Sequence, residues 1–430
     1  MAHLTARTAY TDLVERLNRF PQGAPPSDLL DRILRLLVSE REAALLSRVP
    51  IKPFTPATAA RIWRVTEAEA KTSLDALASR AVLLDVEHDG TTRYVLPPPM
   101  AGFFEFSMMR VRGDIDQAAL AALYYQYLNV EEDFIRALAD GTTQMGRVFV
   151  DETALPKKPE LTVLDWERAS GVVREASAIG IGVCYCRHKM EHAGKACDAP
   201  KEVCMTFGGV ARSLVRHGYA RPADAEEALD VLAMARERGL VQFGENVREG
   251  VGFICNCCGC CCEALIASRR FGPSSMVHTT RWLPRPDPAR CNGCGRCVNA
   301  CPVEAMTLVS ANDPEKRTRR MARLEEERCL GCGVCVRACR TGSLALEDRG
   351  ERHLPPFNSV HRTVLMAIER GKLQELLFDD RSLVSHRALA AIFGAVLKLP
   401  RVKRALATKQ VCSRYLEALC AHASRRGTDA

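Results

Sequence analysis

The chain lacks the features that would direct it into a membrane or a secretion pathway. No apolar run reaches the roughly 18 residues that suggest a membrane-spanning helix. The polar N-terminal stretch, MAHLTARTAYTDLVERLNRF, has no apolar signal core, no twin arginines and no cleavage site. These absences predict a cytoplasmic protein, and a reducing cytoplasm argues against a framework of disulfides.

Motifs for nucleotide chemistry and hydrolysis are also missing. The sequence contains no G-x-G-x-x-G after a strand pattern, no P-loop and no Ser–His–Asp candidate, so nucleotide and flavin binding are not expected. The net charge is +8, and much of the excess positive charge is spread along the C-terminal half. It predicts mild electrostatic steering rather than a nucleic-acid surface.

Cysteine is the residue that the chain has in excess. The 430 residues include 20 cysteines, far more than packing requires, and most of them lie between residues 171 and 350. Metal binding is the most economical explanation because disulfides are not expected. Cys412 and Cys420 stand apart in helical patterns and are predicted to be small buried hydrophobic residues.

Two cysteine motifs repeat each other in the segments ARCNGCGRCVNACPVEAMTLV and ERCLGCGVCVRACRTGSLALE. Each has the spacing C-x2-C-x2-C-x3-C of bacterial ferredoxins, in which the fourth cysteine ligates the other cluster. One [4Fe–4S] cluster is therefore predicted on Cys291, Cys294, Cys297 and Cys339, and a second on Cys329, Cys332, Cys335 and Cys301. The zinc alternative would require two C-x2-C pairs with a wider gap.

Two departures from a minimal ferredoxin accompany these motifs. Arg340 follows Cys339 where proline is usual, and its charge is expected to raise the reduction potential of the nearby cluster. The stretch NDPEKRTRRMARLEEER between the motifs is predicted to be an exposed loop that runs into a strand. It is a candidate docking surface for a redox partner.

A second set of cysteines lies upstream. Cys184, Cys186, Cys197 and Cys204 have the spacing C-x-C-x10-C-x6-C and are the first choice of ligands for a further metal centre. An iron–sulfur centre is preferred over a zinc site, because the ferredoxin-type motifs downstream already predict iron–sulfur clusters. Arg187 and Lys189 would offset the negative charge of thiolates. His188 and His192 are expected to donate hydrogen bonds to the ligands or to lie on the surface, with metal ligation as the alternative.

The stretch FICNCCGCCCEAL is the densest in cysteine. Its six thiols belong to Cys255, Cys257, Cys258, Cys260, Cys261 and Cys262. Adjacent residues of an extended segment project to opposite sides, so all six cannot face one metal. Three or four are expected to ligate a cluster near the following helix N-terminus, and the others to reach the upstream site or stay free. The alternative is zinc, or a partly structural role.

The N-terminal segment resembles a winged-helix domain. Three helices are predicted after Ser27, after Thr55 and after a Thr66–Glu69 capping box, followed by a hairpin at Asp89-Gly90. The third helix is too acidic for a phosphate backbone. A scaffold or protein-docking role is therefore preferred to DNA binding.

The fold class predicted is a multidomain α+β protein. Its expected segments are a winged-helix-like module (1–100), a helical connector (101–170), a cysteine-rich domain (171–284), a two-cluster ferredoxin domain (285–352) and a helical C-terminus (353–430). The C-terminal stretch HRALAAIFGAVLKLPRVKRAL is amphipathic and basic at its end. It is expected to pack on the protein's own core, with membrane or partner contact as the alternative.

The segments LNRFPQGAPPS, LPPPMAGFFEFSMMR, VCYCRHKMEHAGKACDAP, FICNCCGCCCEAL and the ferredoxin pair resemble a family of bacterial cytoplasmic multi-cluster 4Fe–4S ferredoxin-domain proteins, frequent in anaerobic sulfate- and metal-reducing bacteria. The resemblance implies iron–sulfur binding and electron transfer to a redox partner, and gives no substrate. The alternatives are a reductase with a catalytic metal centre in residues 171–284 and an iron–sulfur-sensing winged-helix transcription regulator.

Overall fold

The computed structural model describes residues 8–88, 90–155, 167–272, 277–350 and 354–397. Two compact units divide the chain. One comprises residues 1–143, 212–219 and 358–430, and the other comprises residues 144–211 and 220–357. Asp89, Cys412 and Cys420 lie outside the described residues.

The first unit begins with helices and a hairpin. Its elements here are α1 (Ala9–Arg19), α2 (Asp28–Leu37), α3 (Glu40–Leu46), α4 (Pro56–Trp63), α5 (Glu67–Ala78), β1 (Leu84–His88) and β2 (Thr91–Val95). Ser27 and Thr55 cap α2 and α4, and Thr66 with Glu69 forms the capping box of α5, as the sequence predicts. Strands β1 and β2 pair antiparallel.

Short helices continue the same unit. They are α6 (Phe104–Ser107), α7 (Gln117–Tyr125) and α8 (Asp133–Ala139). The rings of Phe104, Tyr124, Tyr127 and Phe134 pack together, with Tyr127 and Phe134 stacked at 5.0 Å between centroids. These aromatic contacts supply much of the apolar core between the helices.

The second unit is built on a seven-stranded sheet. Its strands are β3 (Gly146–Val148), β4 (Ile179–Val183), β5 (Glu202–Phe207), β6 (Ala220–Ala223), β7 (Val241–Glu245), β8 (Phe253–Cys257) and β9 (Val277–His278). They follow the order β6-β4-β5-β8-β7-β3-β9, and only the β3–β9 pair is parallel. Strand β8, which carries the densest cysteine stretch, therefore lies in the middle of the sheet.

Helices surround this sheet. They are α9 (Ala169–Glu175), α10 (Tyr185–His192), α12 (Ala225–Glu237) and α13 (Glu263–Phe271), while α11 (Gly208–Arg216) begins in this unit and belongs to the first unit from residue 212 onward. Val173 of α9 and Leu232 of α12 are fully buried against Ile181, Met205 and Ile254 of the sheet. Since both faces of β8 are covered by packed elements, its alternate side chains project into enclosed surroundings.

Two antiparallel strand pairs and two short helices form the ferredoxin-like part of the second unit. Strand β10 (Trp282–Pro286) pairs with β13 (Leu344–Asp348), and β11 (Met306–Ser310) pairs with β12 (Arg320–Leu324). Helices α14 (Arg296–Ala300) and α15 (Val334–Ala338) follow the two cysteine loops. Residues 311–319 form a largely exposed loop that leads into β12, as the sequence predicts.

The last described elements are α16 (Ser359–Glu369), α17 (Leu373–Leu377) and α18 (Val384–Leu397), which belong to the first unit. The amphipathic stretch predicted from the sequence begins in α18 and continues past residue 397, outside the described residues. Among the described residues, no helix combines the length and the apolar character needed to cross a bilayer.

Candidate metal centres

Glycines shape the two ferredoxin-like loops. Gly293 and Gly331, two residues after the first cysteine of each motif, have positive φ values of 69° and 71°. A Cβ at Gly293 would lie 2.4 Å from the carbonyl oxygen of Arg320, and one at Gly331 would lie 2.2 Å from that of Trp282. A side chain would therefore be incompatible with both the conformation and the close approach.

Backbone amides point at several of the thiol sulfurs. Sulfur atoms accept N–H hydrogen bonds from Ala322 to Cys291 (3.4 Å), from Ala305 to Cys301 (3.2 Å) and from Gly331 to Cys329 (3.4 Å). Hydrogen bonds to sulfur stabilise thiolates and tune the potential of the clusters that they bind. These donors are what an iron–sulfur ligand set requires, so the residues fit such a group.

The fourth cysteine of the first motif lies with the second motif. Cys301 lines one cavity together with Cys329, Cys332 and Cys335. Burial raises the pKa of Cys329 to about 11, and the charge of Cys301 adds to the increase. Iron binds the thiolate form, so metal binding at these buried thiols would release their protons.

The fourth cysteine of the second motif lies near the first motif. Burial raises the pKa of Cys297, and the charges of Cys291 and Cys339 contribute to the increase. For Cys339, burial is outweighed by the hydroxyl groups of Ser343 (3.2 Å) and Thr341 (3.4 Å), and its pKa falls to about 7. Cys294 is exposed. The crossed ligand assignment itself stays a prediction.

Six of the ten upstream thiols form one group, which we call the six-thiol group. Its members are Cys184, Cys186, Cys204, Cys255, Cys257 and Cys262. The sulfurs of Cys204 and Cys255 are 3.8 Å apart. Cys186 is in hydrogen-bond contact with Cys184 and Cys262.

Contacts among these thiols separate their pKa values. The pKa of Cys257 is raised well above its usual range by contacts with Cys255 and Cys262, and burial adds to the increase. The pKa of Cys255 falls well below its usual range because Cys204 and Cys257 donate to it. The thiols of this group thus hydrogen-bond to one another, and metal binding would replace these contacts at the sulfurs that serve as ligands.

The other four thiols form a second group, which we call the four-thiol group. It consists of Cys197, Cys258, Cys260 and Cys261, whose sulfur atoms all lie within 4.8 Å of one another. A hydrogen bond from Cys261 lowers the pKa of Cys258 to about 5. Burial and the charge of Cys258 raise the pKa of Cys260 to about 12.

The ten upstream cysteines are grouped differently in the structure from the two sets that the sequence predicts. Cys184, Cys186 and Cys204 belong to the six-thiol group, whereas Cys197 lies with Cys258, Cys260 and Cys261. Cys257 and Cys258 fall into different groups, in keeping with the opposite projection of adjacent residues in an extended segment. The adjacent cysteines at positions 257 and 258, where β8 ends, are the sequence signal for this division.

Arg187 supplies a buried positive charge to both groups. It is 1 % exposed and donates to the backbone carbonyls of Pro200 (2.9 Å) and Asn256 (2.8 Å). Burial alone would lower the pKa of Arg187, but the thiolates of Cys184 and Cys258 raise it. Its Nε is buried with no partner among the described residues, which leaves a donor for a sulfide or thiolate acceptor.

Lys189 and Glu263 form an ion pair that sequence reasoning missed. Their side chains are 0 % and 2 % exposed. Lys189 therefore neutralises a carboxylate at the start of α13 and offers less charge to the thiolates than the sequence predicts. His188 is also buried, with its ring centroid 5.0 Å from that of His192.

The six-thiol group shares an apolar core with the second ferredoxin loop. Cys257, Cys262, Cys329 and Leu330 are buried in one cluster, and Cys301 packs against it. Nearby, a Cβ at Gly259 would lie 2.5 Å from the carbonyl oxygen of Pro302. The cysteine-rich turn and the first ferredoxin motif are thus in backbone contact.

Residues 290–343 match the 4Fe-4S dicluster domain. The matched segment contains both cysteine motifs, and the thiols cluster around the positions just described. The chain is therefore an iron–sulfur protein with a ferredoxin-type domain. No curated protein and no solved structure matches the chain.

Proposed function

We propose that the chain transfers single electrons through two ferredoxin-type [4Fe–4S] clusters and a further iron–sulfur centre, as a carrier or as a subunit of a cytoplasmic redox complex. Thiolate-bound clusters of this type exchange one electron at potentials set by charge, hydrogen bonds and burial. The observation that carries the proposal is the cavity lined by Cys301, Cys329, Cys332 and Cys335, within the segment that matches the dicluster domain.

The proposed ligands are the two crossed sets. Cys291, Cys294, Cys297 and Cys339 hold one cluster, and Cys329, Cys332, Cys335 and Cys301 hold the other. The position of Cys301 beside Cys329, Cys332 and Cys335 supports the crossing. The N–H donors to Cys291, Cys301 and Cys329 support a ligand role for these three thiols. They stabilise the negative charge that these thiolates carry in either oxidation state of a cluster.

The further centre is proposed in the six-thiol group. Its support is the shared core in which Cys257 and Cys262 lie with Cys329. A redox centre there would neighbour the second ferredoxin cluster, which would give electrons a short path between the two parts of the unit. Arg187 would offset the charge of the thiolates that bind this centre.

The test is metal and sulfide analysis of the full chain purified without oxygen, followed by electron paramagnetic resonance after dithionite reduction. We expect about eight irons with matching sulfide from the ferredoxin-type domain, and more iron and sulfide from the six-thiol group. Reduced clusters should show fast-relaxing signals that are coupled to one another. Absence of acid-labile sulfide would overturn the proposal.

A second candidate function is a reductase whose catalytic metal centre lies in the six-thiol group. The observation that favours it is the number of thiols, which exceeds by two the four that a [4Fe–4S] cluster uses. Spare thiols are available to bind or react with a substrate. Turnover of a small oxidant by the reduced chain that is lost in Cys184→Ser, with the ferredoxin signals intact, would favour this candidate over a simple carrier.

A further inference from the structure

The four-thiol group has the dimensions of a single metal site. The sulfur of Cys197 is 3.6 Å from that of Cys258 and 3.9 Å from that of Cys261, and the sulfurs of Cys260 and Cys261 are 3.6 Å apart. A tetrahedron with metal–sulfur bonds of about 2.3 Å has edges of about 3.8 Å. The measured separations therefore approach those of four thiolates on one ion.

These separations do not suit a four-iron cluster. In a [4Fe–4S] cluster each thiolate binds a different iron, so four ligand sulfurs that all lie within 4.8 Å of one another are closer together than one such cluster requires. Four cysteines as the full set also match the closed coordination of structural zinc and of mononuclear iron.

We propose that Cys197, Cys258, Cys260 and Cys261 bind one divalent metal ion, zinc or ferrous iron, in tetrahedral thiolate coordination, as a site separate from the proposed iron–sulfur centres. This metal site is not part of the proposed electron-transfer path. The proposal of this site does not depend on the proposed function. Because all four positions are filled by protein, the ion keeps no open position at which a substrate could bind.

The position of the site explains what it stabilises. Cys197 lies in the loop after α10, and the other three ligands lie in the turn between β8 and α13. One ion would cross-link these two segments and hold the turn in which Gly259 meets the carbonyl of Pro302. The exposed Cys260 gives the ion access from solvent.

Charge around the site favours the bound ion. Four thiolates and a divalent ion carry a net charge of about −2, and Arg187 faces this group through Cys258 and Cys197. The buried guanidinium offsets part of that charge at a place where water contributes little screening.

The experiment compares paired variants of the full chain, purified without oxygen and analysed for zinc, iron and acid-labile sulfide. Cys197→Ser with Cys260→Ser should remove about one metal atom per chain and leave sulfide unchanged. The matched control, Cys186→Ser with Cys204→Ser in the six-thiol group, should lower iron and sulfide together and leave that one atom in place.

Two results would overturn the proposal. One is loss of several irons with equal sulfide from the Cys197/Cys260 variant, which would make the group part of a cluster. The other is no change in metal content. The identity of the lost metal separates zinc from iron.

A measurement on the unaltered chain covers the case in which the variant fails to fold. If the metal is zinc, X-ray absorption at the zinc edge should give four sulfur neighbours at about 2.3 Å. If it is iron, Mössbauer spectroscopy should show one isolated tetrathiolate iron beside the clusters. Nitrogen or oxygen ligands, or iron found only in sulfide-bridged form, would contradict the proposal.

Discussion

Cys301 is the residue that distinguishes crossed from local ligation. It follows α14 in the first motif, yet lines the cavity of Cys329, Cys332 and Cys335. We expect the Cys301→Ala variant to lose one cluster. The double variant Cys301→Ala/Cys332→Ala should lose no more iron than Cys332→Ala alone. The double variant Cys301→Ala/Cys294→Ala should lose both clusters, about eight irons in all.

The control for this prediction is Cys339→Ala, which should show the reverse pattern with the same two partner substitutions. Iron content and the reduced-state resonance signal give the readout. If Cys301→Ala is additive with Cys332→Ala and silent in the Cys294→Ala chain, ligation is local to each loop.

Asp85 of the first unit gives a prediction on pH. Its carboxylate accepts hydrogen bonds from Ser213 (2.6 Å) and Arg216 (2.6 Å), and His217 lies 3.1 Å away. Burial opposes these contacts, but together they hold the pKa of Asp85 below its ordinary value of 3.8. The folded unit therefore binds this proton less readily than the unfolded chain does.

The contribution of Asp85 to stability is thus complete above the ordinary carboxyl pKa and is lost as the pH falls through the lower, folded value. Asp85→Asn should destabilise the unit by about 1–3 kcal/mol at neutral pH, because the carboxylate that accepts from Ser213 and Arg216 is buried, and Arg216 keeps only its pair with Glu87. Denaturant unfolding at neutral pH and at acid pH tests this. A penalty that is equal at both would contradict the electrostatic explanation.

At the level of elements, the turn between β8 and α13 depends on one close contact. A Cβ at Gly259 would meet backbone atoms of Pro302 at 2.5 Å and 2.9 Å. Gly259→Ala should therefore displace one of the two segments and lower the free energy of unfolding by about 1–3 kcal/mol. Gly113→Ala is a suitable control, since nothing lies within 4 Å of an added Cβ there. Equal melting temperatures for the two variants would contradict the prediction.

Helix α5 carries the prediction on nucleic acid. Its first turn contains Glu67 and Glu69, and Lys71 is paired with Asp75 at 2.6 Å. With its cation engaged and its N-terminal turn acidic, the helix offers little to a phosphate backbone. The full chain should bind DNA only weakly and without sequence preference in a gel shift at physiological salt. Tight, selective binding would favour the regulator that the winged-helix interpretation allows.

The elements also show what sequence can and cannot predict. Caps such as Thr66–Glu69 are local, so the sequence predicts α5 with its start. Helix α3 was missed although Ser39 and Glu42 form the same capping box. Strand β3 lies within the predicted helical connector, because its three residues are strand only through pairing with β7 and β9. The partners of Cys197 likewise depend on contacts between distant segments, which spacing does not encode.

At the scale of the whole molecule, we expect metal binding to stabilise the second unit more than the first. All eighteen described cysteines lie in residues 184–339, within the second unit. Removing iron and zinc with a chelator under reducing conditions should therefore loosen that unit, since bound metal contributes to its folding free energy. Hydrogen exchange should rise at β8 and around residues 290–343, with little change in α1 to α5. Uniform loosening of the chain would contradict this distribution.

Strand β8 has a consequence for how the protein sorts its metals. Val241 of β7 is opposite Cys257, and Met205 of β5 is opposite Ile254, so two neighbouring strands fix the register of β8. Because side chains alternate, a slip of one residue would exchange the faces on which its thiols project. Hydrogen bonding between backbones thereby places Cys255 and Cys257 on the side of the six-thiol group. Strand pairing therefore helps to determine which thiols a metal ion meets in this chain.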